Sequence, residues 1–515
     1  MLLSDVVTAS AAVAATRSRT AKAGTIAGLL RTAGADEVRP VTAWLSGEVR
    51  QGRLGVGFRT LARLGGSPAA RPSLTVVAVD RGLAELAGTT GAGSTARRDA
   101  VLTALLSAAT ADERQFLVRL IGGELRQGAL EGVVLDAVAT AAEVPAPSVR
   151  RAFMLSGRLD ETAAAALAGG VEALDAVRLE VGRPVRPMLA SPGSSLDAAL
   201  ADLGTDVTVE FKLDGARIQV HRDGDDVRVW TRTLREVTDG VPELVERVRA
   251  LPCATAVLDG ETLALDDDGR PRAFQDTMSR FGSQLPDDMA SDEGVLLSPF
   301  FFDVLHLDGR DLLDEPLHVR LDALAGLLAD DAHAALRMPG VRSPSPEQAA
   351  DVLDGALTEG HEGVVVKALD AAYAAGRRGK AWQKVKPVHT LDLVVIGAEW
   401  GYGRRTGKLS NIHLGARDPD GGPPVMVGKT FKGMTDELLE WQTRTFPDLA
   451  VERPEWGVLL RPELVVEIAL DGAQRSTRYP GGVALRFARV LRYRPDRTPA
   501  DADPIDAIRA LLAGG

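Results

Sequence analysis

Residues 207–217 read Val207-Thr208-Val209-Glu210-Phe211-Lys212-Leu213-Asp214-Gly215-Ala216-Arg217. The β-branched start is a strand signal, and Asp214-Gly215 is a turn signal. Side chains alternate along a strand, so Glu210 and Lys212 share one face and Val209 and Phe211 the other. Arg217 opens the next strand. It alternates to His221, turns at Arg222-Asp223-Gly224-Asp225-Asp226 and alternates back from Val227 to Arg232. A lysine at a strand end, beside a glycine turn and facing an arginine, is placed to meet a phosphate. A plain surface lysine in a hairpin is the competing reading, and the rest of the chain must decide between them.

Upstream, residues 1–180 are rich in Ala, Leu and Arg. Apolar spacings of three and four (Phe116-Leu117-Leu120, Leu130-Val133-Val134-Val138) predict an all-α region. Gly182-Arg183-Pro184-Val185-Arg186-Pro187 breaks that pattern and reads as a linker. Downstream, strands are expected at 256–263, 299–305, 363–367 and 382–386, with helices near 240–250, 317–329 and 347–358, which is an α+β domain. From about residue 389, five strands (391–398, 411–417, 425–430, 464–469, 484–493) and one helix near 435–444 predict a small β-barrel. The expected domains are 1–182, 186–387 and 389–515, three units being ordinary for 515 residues. No apolar run reaches the roughly 18–20 residues needed to span a bilayer, so no membrane partner is expected. The single cysteine, Cys253, excludes a disulfide framework within the chain and suits a reducing, cytoplasmic setting.

The net charge of −11 seems to argue against nucleic acid, but it is uneven. Residues 1–185 carry +3 and residues 389–515 are neutral, leaving −14 in the middle. Of 60 basic residues only nine are lysine. Where arginine serves as the generic cation, a surviving lysine marks a place arginine cannot fill, such as a nucleophile or a compact charge on phosphate.

Glu210 to Arg217 resembles the Lys-x-Asp-Gly-x-Arg motif of covalent nucleotidyltransferases: DNA ligases, RNA ligases and mRNA capping enzymes. The other motifs of that superfamily follow in order. They are Leu258-Asp259-Gly260-Glu261, Phe301-Phe302-Asp303-Val304-Leu305-His306-Leu307-Asp308-Gly309, Glu362-Gly363-Val364-Val365-Val366-Lys367 and Trp382-Gln383-Lys384-Val385-Lys386. Together with the Lys212 motif they hold four of the nine lysines. Residues 486–497, Arg-Phe-Ala-Arg-Val-Leu-Arg-Tyr-Arg-Pro-Asp-Arg, resemble the C-terminal motif of ATP-dependent DNA ligases, with Ala488 where proline is usual and Arg497 where lysine is usual. The resemblance covers nearly the whole chain. It implies a helical DNA-binding domain, an adenylation domain and a C-terminal OB-fold barrel.

The resemblance also implies roles. Lys212 is the nucleophile that takes AMP from ATP. Glu210 reads the adenine amino group and Phe302 stacks on the base, a core aromatic being the plain reading of Phe302. Arg217, Arg232 and Arg378 contact the nucleotide, and Lys384 and Lys386 face the triphosphate. Glu261 and Glu362 are oxygen ligands suited to Mg²⁺, or else ordinary carboxylates. Phe274 and Phe487 resemble wedges that enter the minor groove beside a nick, against a reading as packing residues. Arg486 and Lys429 are candidate DNA contacts, with Lys432 beside them. Arg494, Asp496 and Arg497 would reach ATP only on closure, through a hinge near Lys386-Pro387-Val388, and orient pyrophosphate. The expected partner is nicked double-stranded DNA, bound by a monomer. An RNA ligase with the same chemistry and a non-catalytic scaffold for DNA ends are the alternatives. A capping enzyme would not need about 180 helical residues ahead of the lysine motif.

Overall fold

The helical start follows from its capping as well as its periodicity. Ser18 and Thr75 accept hydrogen bonds from the Ala21 and Ala78 backbone N–H groups, opening helices Arg19–Thr32 and Val76–Gly88. Thr110 and Glu113 form a reciprocal capping box at helix Ala111–Ile121. Helices Leu3–Ala15, Ala35–Ser46, Ser94–Ala108, Glu131–Ala142, Ala146–Ser156 and Leu159–Asp175 complete an all-α region around one apolar core, with Val6, Ile26, Trp44, Leu83 and Val134 fully buried. The structure, a computed structural model of the whole chain, describes all residues except 53, 58–59, 62–63, 65–66, 126, 129–130, 273, 282–295, 375–379, 387 and 513–515; the side chains of residues 274, 275, 279 and 404 also lie outside what is described.

The described residues of the middle region form ten strands: β1 Ser191–Pro192, β2 Val207–Lys212, β3 Ala216–Asp223, β4 Asp226–Thr231, β5 Thr255–Ala264, β6 Leu297–Leu307, β7 Arg310–Asp311, β8 Gly340–Arg342, β9 Gly363–Ala368 and β10 Trp382–Val385. They form two five-stranded sheets, ordered β1-β10-β9-β2-β8 and β4-β3-β5-β6-β7. The Lys212 motif is therefore not a hairpin, because β2 and β3 belong to different sheets and Leu213-Asp214-Gly215 is the crossing between them. The crossing is tight. A Cβ on Gly215 would lie 2.4 Å from the Thr262 carbonyl oxygen of β5. Helices Pro242–Arg249 and Leu317–Leu327 cover the second sheet, and Leu196–Leu203 and Pro346–Thr358 cover the first. A further apolar cluster joins Met154 and Leu155 of the helical region to Val185, Met188, Leu213, Phe302 and Trp382.

The C-terminal region corrects the expectation of an OB-fold barrel. Strands β11 His389–Trp400, β12 Leu409–Ala416, β13 Val425–Thr430, β14 Ala450–Glu452, β15 Gly457–Leu470, β16 Gly472–Arg475, β17 Val483–Arg486 and β18 Arg489–Tyr493 form an open sheet and a separate hairpin. The sheet runs β13-β12-β11-β15-β14, with β18 also on β15, and β16 pairs with β17 alone. A barrel needs its last strand laddered to its first. Here β15 spends one edge on β11 and divides the other between β14 and β18. The chain leaves the sheet at Gly472 (φ +147°) and rejoins it only past Phe487 (φ +54°). That left-handed residue splits the single strand expected over 484–493 into β17 and β18. Helix Asp436–Leu449 buries Leu439 and Phe446 in the region's core. Among the described residues no helix is long and apolar enough to cross a membrane. Of the hinge expected near Lys386-Pro387-Val388, Pro387 falls outside the described residues.

Candidate active site

Strand register assembles the site. In the first sheet Lys212 pairs with Gly363, Glu210 with Val365 and Thr208 with Lys367, while Val365 and Lys367 pair onward with Lys384 and Trp382. These positions share one face, and with β3, β5 and β6 of the other sheet they enclose a cavity of about 600 Å³. It is lined by Glu210, Lys212, Arg217, Arg232, Glu261, Phe302, Lys367, Trp382 and Lys384, among others. Most of the predicted nucleotide-binding residues are thus brought together from six separate stretches of chain.

Lys212 sits at the mouth of the crossing with its ammonium ion-paired to Glu362. The Glu362 backbone N–H donates to the Lys212 carbonyl oxygen at 3.0 Å, which sets the carboxylate beside the ammonium. Burial alone would raise the Glu362 carboxyl, but the ammonium groups of Lys212 and Lys386 outweigh it and hold it down at about 2. Glu261 behaves oppositely. Burial pushes its carboxyl up to about 7 against the pull of Lys212 and Arg217. Among the described residues the Glu261 side chain makes no hydrogen bond or ion pair.

Glu210 is buried and takes the Lys367 ammonium at 2.5 Å. Burial raises its carboxyl, with the Lys367 charge opposing. The same ammonium lies 4.2 Å from the Phe302 ring centre and 4.5 Å from that of Trp382. Phe302 is both a core residue and part of the cavity wall. Arg217 is held by Asp259 through two bonds of 2.9 and 2.6 Å, and donates to the Met188 carbonyl at 2.6 Å. Tyr373 donates to Asp259 at 2.6 Å. Asp259, Tyr373 and Trp382 were not singled out from the sequence. Asp259 and Trp382 lie inside quoted motifs, whereas Tyr373 carries no local signal.

Other predicted residues stand elsewhere. Lys386 follows β10 and lines an adjoining cavity of about 360 Å³ rather than the main one. It contacts Glu362 at 2.7 Å and Asp471 at 3.4 Å. Arg486 pairs with Asp214 at 2.8 Å, so the β16–β17 hairpin docks against the crossing. Phe487 is exposed, with the Lys432 ammonium 5.3 Å from its ring centre. Lys429 is ion-paired with Glu399, which also accepts from Asn411 at 2.7 Å. Arg494 contacts Asp392 at 3.0 Å and Asp496 at 2.7 Å, and Arg497 contacts Asp392 at 3.1 Å, all away from the main cavity. Arg378 lies outside the described residues. Phe274 opens helix Phe274–Ser279, and its side chain is likewise outside them.

Three family models match along the chain: DNA ligase N terminus over residues 62–139, ATP dependent DNA ligase domain over 187–386, and ATP dependent DNA ligase C terminal region over 405–497. The chain is 63% identical to a probable DNA ligase of Rhodococcus jostii (strain RHA1), covering 100% of both. It belongs to the ATP-dependent DNA ligase family. A second relative, a probable DNA ligase of Saccharopolyspora erythraea, is 64% identical across 99% of this chain and 98% of its own. A solved structure described as Pmar-Lig_Pre shares the fold, with a TM-score of 0.61 at 18% identity over 95% of this ligase and 99% of that chain.

Of the ligase's two acidic positions, Glu261 fits a hard cation, whereas the Glu362 carboxylate is taken up by Lys212 and Lys386. Glu261 is a half-buried carboxylate aimed into the cavity without a partner among the described residues, and oxygen ligands are what Mg²⁺ prefers. The described residues hold no cluster of three or more such ligands. Phosphate oxygens and water would have to complete the shell.

Proposed function

We propose that this enzyme seals nicks in duplex DNA through a lysyl–AMP intermediate, with Lys212 as the nucleophile. The observation that supports it most directly is the Lys212 ammonium at the edge of a nucleotide-sized cavity, flanked by Glu362 and Glu261. Lys212 Nζ attacks the α-phosphorus of ATP and pyrophosphate leaves. AMP then passes to the 5′-phosphate at the nick. The 3′-hydroxyl attacks that phosphate, and AMP leaves as the strand closes.

Each residue type suits its place. The nucleophile must shed a proton, which a guanidinium cannot do at working pH. Glu362, with its low proton affinity, positions the amine rather than acting as its base. Glu210 and Lys367 fix the polar end of the base pocket, and the Phe302 ring closes it. Asp259 and Tyr373 hold Arg217 rigid for the nucleotide, with Arg232 and Arg378 as further contacts and Lys384 toward the phosphates. Glu261 would hold Mg²⁺, which supplies charge neutralisation on the triphosphate. We assign the helical domain to 1–182, the adenylation domain to 186–387 and the C-terminal domain to 389–515. Arg486, Phe487, Phe274 and Lys429 are assigned to DNA, and the enzyme is read as a cytoplasmic monomer.

Incubation with radiolabelled ATP and Mg²⁺ is expected to label the wild type and to leave Lys212→Ala and Lys212→Arg unlabelled. The wild type should seal nicked DNA with ATP but not with NAD, and nicked RNA more slowly. Label persisting in either variant would overturn the assignment of Lys212.

A further inference from the structure

The hairpin β16–β17 brings a second charged group to the active site besides Arg486. Asp471 immediately precedes β16. Its backbone N–H donates to the Arg486 carbonyl at 3.1 Å, and Gly472 is paired with Arg486 in the hairpin register. The two side chains project as neighbours toward the middle region, Arg486 onto Asp214 and Asp471 onto Lys386. Lys386 is thereby shared between Glu362 at 2.7 Å and Asp471 at 3.4 Å, and Glu362 in turn holds Lys212. An alternating chain of charges, Asp471–Lys386–Glu362–Lys212, runs from the C-terminal region to the nucleophile. The Lys386 and Asp471 side chains are only 20% and 25% exposed, so water screens this chain incompletely.

The placement matters because Lys384 lines the main cavity while Lys386 lines the adjoining one together with Asp471. With the hairpin docked, one of the two motif lysines, already paired with Glu362, gains a second acid supplied from outside the motifs. We propose that Asp471 selects the stage of the reaction: docked, it takes Lys386 away from the phosphate site and adds a negative charge there, so that the enzyme rejects ATP and pyrophosphate while keeping AMP on Lys212. This rests on the reading of Lys212 given above. Its consequence is protection of the intermediate. In the reverse reaction a pyrophosphate oxygen attacks the α-phosphorus of lysyl–AMP, the P–N bond breaks, Lys212 Nζ takes up a proton and ATP forms. A carboxylate beside the pyrophosphate site opposes that attack and leaves transfer of AMP to DNA unopposed.

The test uses full-length enzyme loaded with labelled AMP, freed of ATP, and titrated with pyrophosphate and Mg²⁺. Asp471→Asn is expected to discharge at a pyrophosphate concentration about tenfold lower than the wild type, the size of effect that loss of one poorly screened like charge produces. Asp471→Glu, which keeps the charge, should stay near the wild type. In a second measurement, unloaded Asp471→Asn enzyme sealing a pre-adenylated nick should be inhibited by ATP at correspondingly lower concentration. Equal pyrophosphate sensitivity of Asp471→Asn and wild type would overturn the role of Asp471 and leave Lys212 untouched. A wild type that forms no adduct would instead overturn the reading of Lys212.

Discussion

His221 shows how a residue with no part in the chemistry still fixes the protein's response to pH. It is 1% exposed, and its Nδ1 accepts the Gly182 backbone N–H at 2.9 Å while Nε2 faces the Gln219 side-chain oxygen at 3.0 Å. Gln219 also bonds both backbone groups of Val185, so these two side chains clasp the segment that joins the helical region to the sheets. Protonating Nδ1 would turn an acceptor into a donor facing another donor. Burial, with the neighbouring His306 adding to it, pushes the imidazole down to about 3. The folded value lies below the unfolded one of 6.5. The unfolded chain therefore binds the proton first, and stability is lost as pH falls below 6.5. The slope is about 1.4 kcal/mol per pH unit, or about 2 kcal/mol between pH 6.5 and pH 5. Denaturant melts across that range should show the loss, and His221→Asn, which keeps an acceptor but cannot titrate, should flatten it. An unchanged pH slope in the variant would place the acid sensitivity elsewhere. The rarity of lysine led to Lys212, Lys367, Lys384 and Lys386, yet it marks Lys22 equally. Lys22 is buried and donates to the Gln127 carbonyl at 2.5 Å, a structural use of the ammonium. Residue rarity ranks candidates, and only tertiary partners separate their uses.

At the scale of elements, the run from Val207 to Arg217 gave the strand, its alternation and its turn correctly, but not the sheets. Period-two alternation fixes which face a side chain takes, and carries no information on which strand will pair with it. That is why Glu210 and Lys212 could be placed together in advance, while the Glu210–Lys367 and Arg217–Asp259 pairs could not. The same limit accounts for the barrel. Four of the five expected strands match β11, β12, β13 and β15, while the fifth is split into β17 and β18 and β14 and β16 were not expected; closure depends on two local features, the Gly472 and Phe487 backbones at φ +147° and +54°, and nothing in the residue pattern announces a phenylalanine in the left-handed region. The crossing at Gly215 leaves no room for a side chain. An added Cβ would lie 2.4 Å from the Thr262 oxygen and 3.0 Å from Glu261 Cγ, and the nearer atom is backbone that cannot rotate away. Gly215→Ala should spread the two sheets at the point where Lys212 is held. A loss of about 1–3 kcal/mol in stability is expected, as for other overpacked sites. The rate of AMP-adduct formation should fall more steeply than stability does. A variant with wild-type melting and wild-type labelling would show that the crossing relaxes without moving the lysine.

The whole molecule poses the question of where its C-terminal region stands during each step. In this arrangement the hairpin face, with Asp471 and Arg486, meets the active site. The residues that resemble the C-terminal ligase motif do not. Arg494 is held by Asp392, Asp496 and Glu467, at 3.0, 2.7 and 3.8 Å, and Arg497 shares Asp392. Arg494 and Arg497 are held at the Asp392–Glu467 register pair of β11 and β15, so in this orientation they do not line the cavity. If Arg494 orients pyrophosphate as Lys212 attacks, the region must turn about the segment between β10 and β11 before and after that step. Motion of this kind predicts a split between steps. Arg494→Ala should slow formation of the lysyl–AMP adduct by about tenfold or more, the usual effect of removing a charged group that acts on the transition state. It should leave the sealing of pre-adenylated nicks within about twofold, because the docked face is then the hairpin. Single-turnover assays of the two half-reactions measure this directly. Equal losses in both would mean that Arg494, with Asp392 and Asp496, serves the C-terminal fold rather than the first step, and that one orientation suffices for the whole reaction.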